Sequence, residues 1–205
     1  MPHAPGAAVM TVPYITTWST ERPLPAQVVE HPRFGIAYAD ETMGDRDGNG
    51  VLWPRMPSRP GHGRPEFGKV HPLRQRRAMR RLLCQVCAGP ADRTGRGVLW
   101  MLRDFREDWP GWPERMAAIE PPVCLPCAGT SIRACPALRK GYVTVRVRHS
   151  TVSGVYGVRY LPGALAPVED ATLTFDDPAV RWVRAAQLVR ELHGCTVVDI
   201  APDLG

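Results

Sequence analysis

Short runs of alternating polar and apolar residues, broken at close intervals by proline or glycine, dominate this chain, and helical periodicity emerges in three places. Residues 12–18 read as a short strand. Residues 34–39 and 51–53 read as a hairpin closed by the turn-rich stretch 41–50, and 58–68 as a loop. His71 and Pro72 introduce the first helix, which runs to about Leu83, with proline in the first turn where its missing amide proton costs nothing. A strand at 98–102 and a proline-interrupted insertion at 104–119 follow. The second helix spans about 125–134 and stops near Cys135-Pro136.

Beyond residue 140 the pattern alternates clearly. Residues 142–148 and 155–161 place valines between polar residues on either side of Ser-Thr-Val-Ser-Gly, which predicts an antiparallel hairpin, with a further strand at 173–175. Asp177-Pro178 reads as an N-cap. Val180, Val183, Gln187, Val189 and Leu192 then fall near helical spacing before Gly194, predicting a C-terminal helix and a last strand at 197–200. One short repeat is visible, DRDGNGVLW at 45–53 and DRTGRGVLW at 92–100, and two similar hairpins account for it.

The first helix carries the most distinctive charge. At about 100° per residue, Arg74, Arg76, Arg77, Arg80 and Arg81 fall on one half of the cylinder and Ala78, Met79, Leu82 and Leu83 on the other. Such a face could follow a phosphate backbone, or be solvated, or meet the acidic residues 104–108. The net charge of +6 and pI near 9.3 rest almost wholly on arginine, since Lys69 and Lys140 are the only lysines. Arginine, proline and alanine enrichment also follows from the codon usage of a GC-rich bacterial genome, so basicity alone says little about partners. No run approaches the roughly 18 apolar residues of a membrane span, and no signal segment opens the chain, so a cytoplasmic protein is expected.

Cysteine spacing carries the chemistry. Cys84 and Cys87 form one CxxC pair, and Cys124 and Cys127 form another 36 residues on. Two intervening residues let both sulfurs of a pair turn into one small loop, and two such loops close a tetrahedron around Zn2+. With all four positions filled by protein, the ion is structural. Four thiolates also satisfy iron, and Cys135 and Cys195 stand outside the scheme. Asp45-Arg46-Asp47-Gly48-Asn49-Gly50 opens like a calcium loop, but Met56 stands where the closing glutamate belongs, and a turn is the better reading. Cys135, His149, His193 and Cys195 have no ligand spacing, and Trp109 and Trp112 are expected to pack over the zinc segment.

The knuckle at 84–89, the strand and the second cysteine pair opening a helix follow treble-clef order. Over about 82–140 the chain thereby resembles the HNH endonuclease family, on Cys84, Cys87, Cys124 and Cys127. That resemblance implies the fold. It does not bring the chemistry, because Val98-Leu99-Trp100-Met101-Leu102 has no histidine base and none occurs between His71 and His149.

The expected architecture is α+β, with a zinc-stapled treble-clef-like centre, flanking antiparallel hairpins and a C-terminal helix. Its segments are a disordered 1–12, a β-rich 13–70, a basic helix plus zinc subdomain at 71–140, and a hairpin and helix at 141–205. The expected function is non-catalytic binding of nucleic acid, DNA or RNA, through the five arginines. A protein adaptor is the first alternative and a metal-dependent nuclease-like enzyme the second.

Overall fold

The computed structural model describes residues 11–204, so most of the amino-terminal stretch expected to be disordered lies outside the described residues. In chain order the elements are β1 (Thr16–Trp18), β2 (Val28–His31), β3 (Gly35–Tyr38), β4 (Pro65–Val70), α1 (Pro72–Arg81), β5 (Arg93–Thr94), β6 (Gly97–Leu102), β7 (Ala117–Ala118), α2 (Leu125–Ala134), β8 (Val143–Tyr160), β9 (Pro167–Thr174) and β10 (Val183–Val198). The α+β class expected from the pattern holds: among the described residues the sheets are antiparallel, accompanied by two α-helices.

A six-stranded sheet, ordered β5-β6-β8-β10-β7 with β9 also on β8, forms the body. β8 and β10 run antiparallel along nearly their whole lengths, from Thr144 opposite Val198 to Arg159 opposite Val183. The other edge of β8 is shared end to end, with β6 pairing residues 143–147 and β9 pairing residues 154–160.

This overturns two expectations. The turn read at 150–154 is the middle of an 18-residue strand, and the chain reverses instead at 161–166. The C-terminal helix is a strand. Asp177 caps a single 3-10 turn, Pro178–Trp182, by accepting the Ala179 N–H, and β10 begins at once. Two bulges interrupt this pairing: Ala186 is the extra residue on β10 in the first, and Ser153 the extra residue on β8 in the second. The bulge at Ala186 shifts the buried face of β10, so Val183, Ala185, Leu188 and Leu192 fall two, three and four apart, a spacing that imitates a helix. Gly157 lies opposite the first bulge, where a Cβ would collide with the Arg184 carbonyl.

The amino-terminal pairings also differ from expectation. β3 pairs with β2 through a turn at Pro32, with His31 Nδ1 accepting the backbone N–H of Arg33 and Phe34. Residues 51–53 fold back on 45–47, and the stretch read as a loop contains the first four residues of β4, which pairs with β1.

Both copies of the nine-residue repeat are hairpins that bury their tryptophans, but in different registers. Asp45 accepts from Trp53, whereas Asp92 accepts from Leu99 rather than Trp100. β6 is buried on both faces. Val98, Trp100 and Leu102 join Trp112, Met116, Val145 and Leu192 in one core, while Leu99 and Met101 join Cys84, Val86, Val123, Ala128 and Ile200 in another. That double burial is why 98–102 reads as an unbroken apolar run.

Candidate metal centre

Cys84 follows α1 almost directly. Leu82 caps the helix in the left-handed conformation (φ 51°) and Leu83 bridges to Pro90, so the chain turns straight into a loop around the first cysteine pair. Within it Cys84 N–H donates to Gly89 and Ala88 N–H to Cys84, with Ala88 at φ 61°. The loop is anchored from both sides, because Gln85 N–H donates to Pro122 and the amino-terminal Tyr14 and Ile15 N–H donate to Val86 and Gln85. The second pair opens α2, with Cys124 at its N-cap and Cys127 in its first turn. Val123, exchanging hydrogen bonds with Asp92 and Leu99, ties that helix start to the β5–β6 hairpin.

The four Sγ atoms lie within 4.8 Å of one another, and Cys87 and Cys124 approach to 3.8 Å. A tetrahedron with Zn–S bonds of about 2.3 Å has edges of about 3.8 Å, so the thiols stand within about 1 Å of the spacing such an ion requires. Cys84 is buried, Cys124 and Cys127 are half-buried, and Cys87 faces outward. Backbone donors support the sulfurs: Val86 N–H points at Cys84 Sγ at 3.4 Å, and Gly89 N–H supports Cys87. Burial pushes the Cys124 and Cys127 thiols up, and the negative charge of neighbouring sulfurs adds to it. Without a cation the cluster resists becoming four thiolates; a divalent ion removes that penalty. Among the described residues this is the one group of metal-ligating side chains drawn together.

The other residues singled out by sequence disperse. Asp45 takes Thr42 N–H and a two-pronged contact from Arg55, and Asp47 takes Asn49 and Val51 N–H, so this stretch is a turn with its carboxylates in use. His149 and His193 are cross-strand partners, whereas Cys195 contacts Pro113 and Cys135 ends α2. Trp112 packs in the sheet core and Trp109 is half-exposed.

The five-arginine face requires correction. Arg74 is buried, holding Glu21 at 2.6 and 2.7 Å and the Thr16 carbonyl at 2.6 Å. It sits about 40° around the helix from Ala78, at the edge of the buried arc rather than on the outer half. Arg76, on the opposite flank, lies over the ring of buried Trp53 at 4.3 Å. Arg77, Arg80 and Arg81 remain exposed, and Arg80 approaches Asp47 at 3.6 Å.

Sequence reasoning missed the buried group beneath α1, in which Glu21, His71 and Arg74 are sealed with Gln75. One signal was present: Gln75 falls on the same arc as Ala78 and Met79, a polar residue on an apolar face. No protein-family model, curated protein or solved structure matches this chain. Among the described residues, no helix is long and apolar enough to cross a membrane.

Proposed function

We propose that the chain is a non-catalytic binding protein in which Zn2+ closes the first loop, the β5–β6 hairpin and the start of α2 into a treble-clef-like unit, and in which the exposed arginines of α1 contact nucleic acid. The supporting observation is one of continuity. Arg77, Arg80 and Arg81 point outward from the last turns of a helix that reaches Cys84 within three residues, so an ion on that thiol fixes the arginines relative to the sheet. Arg77 and Arg81 stand one turn apart, about 6 Å along the axis, a spacing at which two side chains can reach separate phosphates.

A nuclease-like role has less support. β6 turns Leu99 and Met101 toward the cysteines, where a base would have to stand, and His71 is buried beneath α1.

The test is the salt dependence of binding to duplex DNA and RNA by wild type and by Arg77→Gln/Arg81→Gln. Wild type should bind with a log-log salt slope that falls in magnitude by about 2 in the double variant, with an unchanged melting curve. Equal slopes, or no binding at low salt, would refute the nucleic-acid reading while leaving the metal centre untouched.

A further inference from the structure

The basic surface of α1 continues across the metal loop. Over residues 67–103 the single acid is Asp92, and its carboxylate is held by Arg146, so this stretch keeps no free carboxylate. Arg93, in β5, and Arg96, in the turn before β6, are both exposed. Among the described residues neither makes an ion pair or a side-chain hydrogen bond.

The backbone pins this hairpin to the end of the helix. Ala91 N–H donates to the Leu82 carbonyl at 3.1 Å, and Leu83 bridges to Pro90. Arg81 lies one residue before that hydrogen-bonded pair and Arg93 two residues after it, no more than about 4 and 7 Å of chain away. The tip is fixed as well. Thr94 Oγ1 accepts the Arg96 N–H at 3.2 Å, Val98 pairs with Val147, and Gly97 sits at φ 116° where a Cβ would collide with the Val147 carbonyl. Guanidiniums held on a rigid support, with no carboxylate competing for them, suit an extended polyanion. Residues 72–97 contain no aromatic side chain, so the surface offers phosphate contacts and no platform on which unpaired bases could stack. That combination fits a duplex, whose bases already stack on one another.

We propose that the β5–β6 hairpin is a second phosphate-contacting arm, in which Arg93 and Arg96 extend the α1 contact along the backbone of a nucleic-acid duplex, with the metal loop between the two arms. The proposal rests on the reading of this chain as a nucleic-acid-binding protein, and adds to it a second set of residues and a double-stranded partner.

The test is fluorescence anisotropy of the metal-loaded full chain with a short labelled DNA duplex, the RNA duplex of the same sequence and one DNA strand alone, over a range of salt. Wild type should bind at least one duplex more tightly than the single strand, and the duplex that binds identifies DNA or RNA as the source of the backbone. Arg93→Gln/Arg96→Gln should lower the log-log salt slope by about 2, and Arg93→Lys/Arg96→Lys should keep it. Should the glutamine double variant fold poorly, Arg96→Gln alone should lower the slope by about 1. Arg159→Gln/Arg181→Gln makes the same charge change at the far end of β8, roughly 40 Å along the strand from Val147, and should leave the slope unchanged. A wild-type slope in the folded hairpin variant, beside a lowered slope for Arg77→Gln/Arg81→Gln, would overturn the second arm alone. No salt-dependent binding by wild type would overturn both readings. Tighter binding of the single strand, or an equal loss of slope in Arg159→Gln/Arg181→Gln, would also overturn the proposal.

Discussion

Gln75 completes the hydrogen bonding of Leu188: its amide nitrogen donates to the Leu188 carbonyl at 2.9 Å and its amide oxygen accepts the Leu188 N–H at 2.9 Å. A side chain of α1 thereby takes the place of a neighbouring strand. On one side of it Leu52 accepts from Ala185, and on the other β7 pairs with Arg190 and Glu191, so the outer edge of β10 is closed piece by piece. Gln75 also donates to the Ile119 carbonyl at 2.8 Å, joining the helix, the strand and the chain leading into the second cysteine pair. An unpaired strand edge would otherwise lie buried under α1.

Gln75→Met fills similar volume but leaves three buried backbone groups unpaired. It should lower stability by about 2–4 kcal/mol, read as a shift in denaturation midpoint with unchanged slope. A loss below about 0.5 kcal/mol would show that water or a local shift satisfies the edge instead.

Glu21 and Arg74 make the second buried connection, tying the segment after β1 to α1. Arg74→Met strands a carboxylate with 1% exposure and should cost about 3–5 kcal/mol. Replacing both partners, as Glu21→Met/Arg74→Met, should recover most of that loss, and a double-mutant cycle by chemical denaturation measures the difference.

The same group sets the response to acid. Burial acts to raise the Glu21 carboxyl, but hydrogen bonds from Arg74 and from the Trp18 and Arg59 N–H groups outweigh it and hold the group down to about 2, below its ordinary 4.5. Its contribution is complete above pH 4.5 and is lost as pH falls toward 2. Burial, with repulsion from Arg74, keeps His71 neutral below its ordinary 6.5, while Nε2–H meets the Pro57 carbonyl at 3.1 Å. An imidazole held neutral in the fold also favours unfolding as pH drops below 6.5. Both slopes have one sign, so thermal stability should decline from about pH 6.5 downward, and His71→Gln should flatten the upper part of that decline. A melting temperature constant between pH 7 and 4 would contradict this.

Cys195 is outside the metal cluster and chemically quiet. Burial, followed by the nearby Glu114 carboxylate, pushes its thiol up to about 12, and Sγ contacts the Pro113 carbonyl. In folded protein at neutral pH it should resist iodoacetamide, and peptide mapping should find it modified only after denaturation.

The central metal segment was the most legible part of the chain because its signals are local. A CxxC loop, a glycine turn and a proline at the second position of a helix each act over a few residues, and α1, β6 and α2 lie within one or two residues of their sequence-derived limits. The C-terminal third was not, because its shape depends on long-range pairing. Nothing near residue 150 announces that β10 will lie beside it, so Ser150 to Gly154 read as a turn. The bulge at Ala186 exists only in the pairing of β10 with β8, and it turns a strand pattern into one that resembles a helix. Within the candidate sites the four cysteines were readable from spacing, whereas Arg74 and Arg76 read as part of the outward nucleic-acid-binding face because residues distant in sequence, Glu21 and Trp53, supply their partners.

The most direct test of the account is elemental analysis of the purified full chain and of Cys84→Ser/Cys127→Ser, with thermal melting of both. The account predicts one zinc per wild-type chain, absent from the variant, whose melting temperature falls sharply and no longer responds to added Zn2+. Metal-free wild type with four reactive thiols and the same melting curve as the variant would contradict it, as would a coloured iron centre.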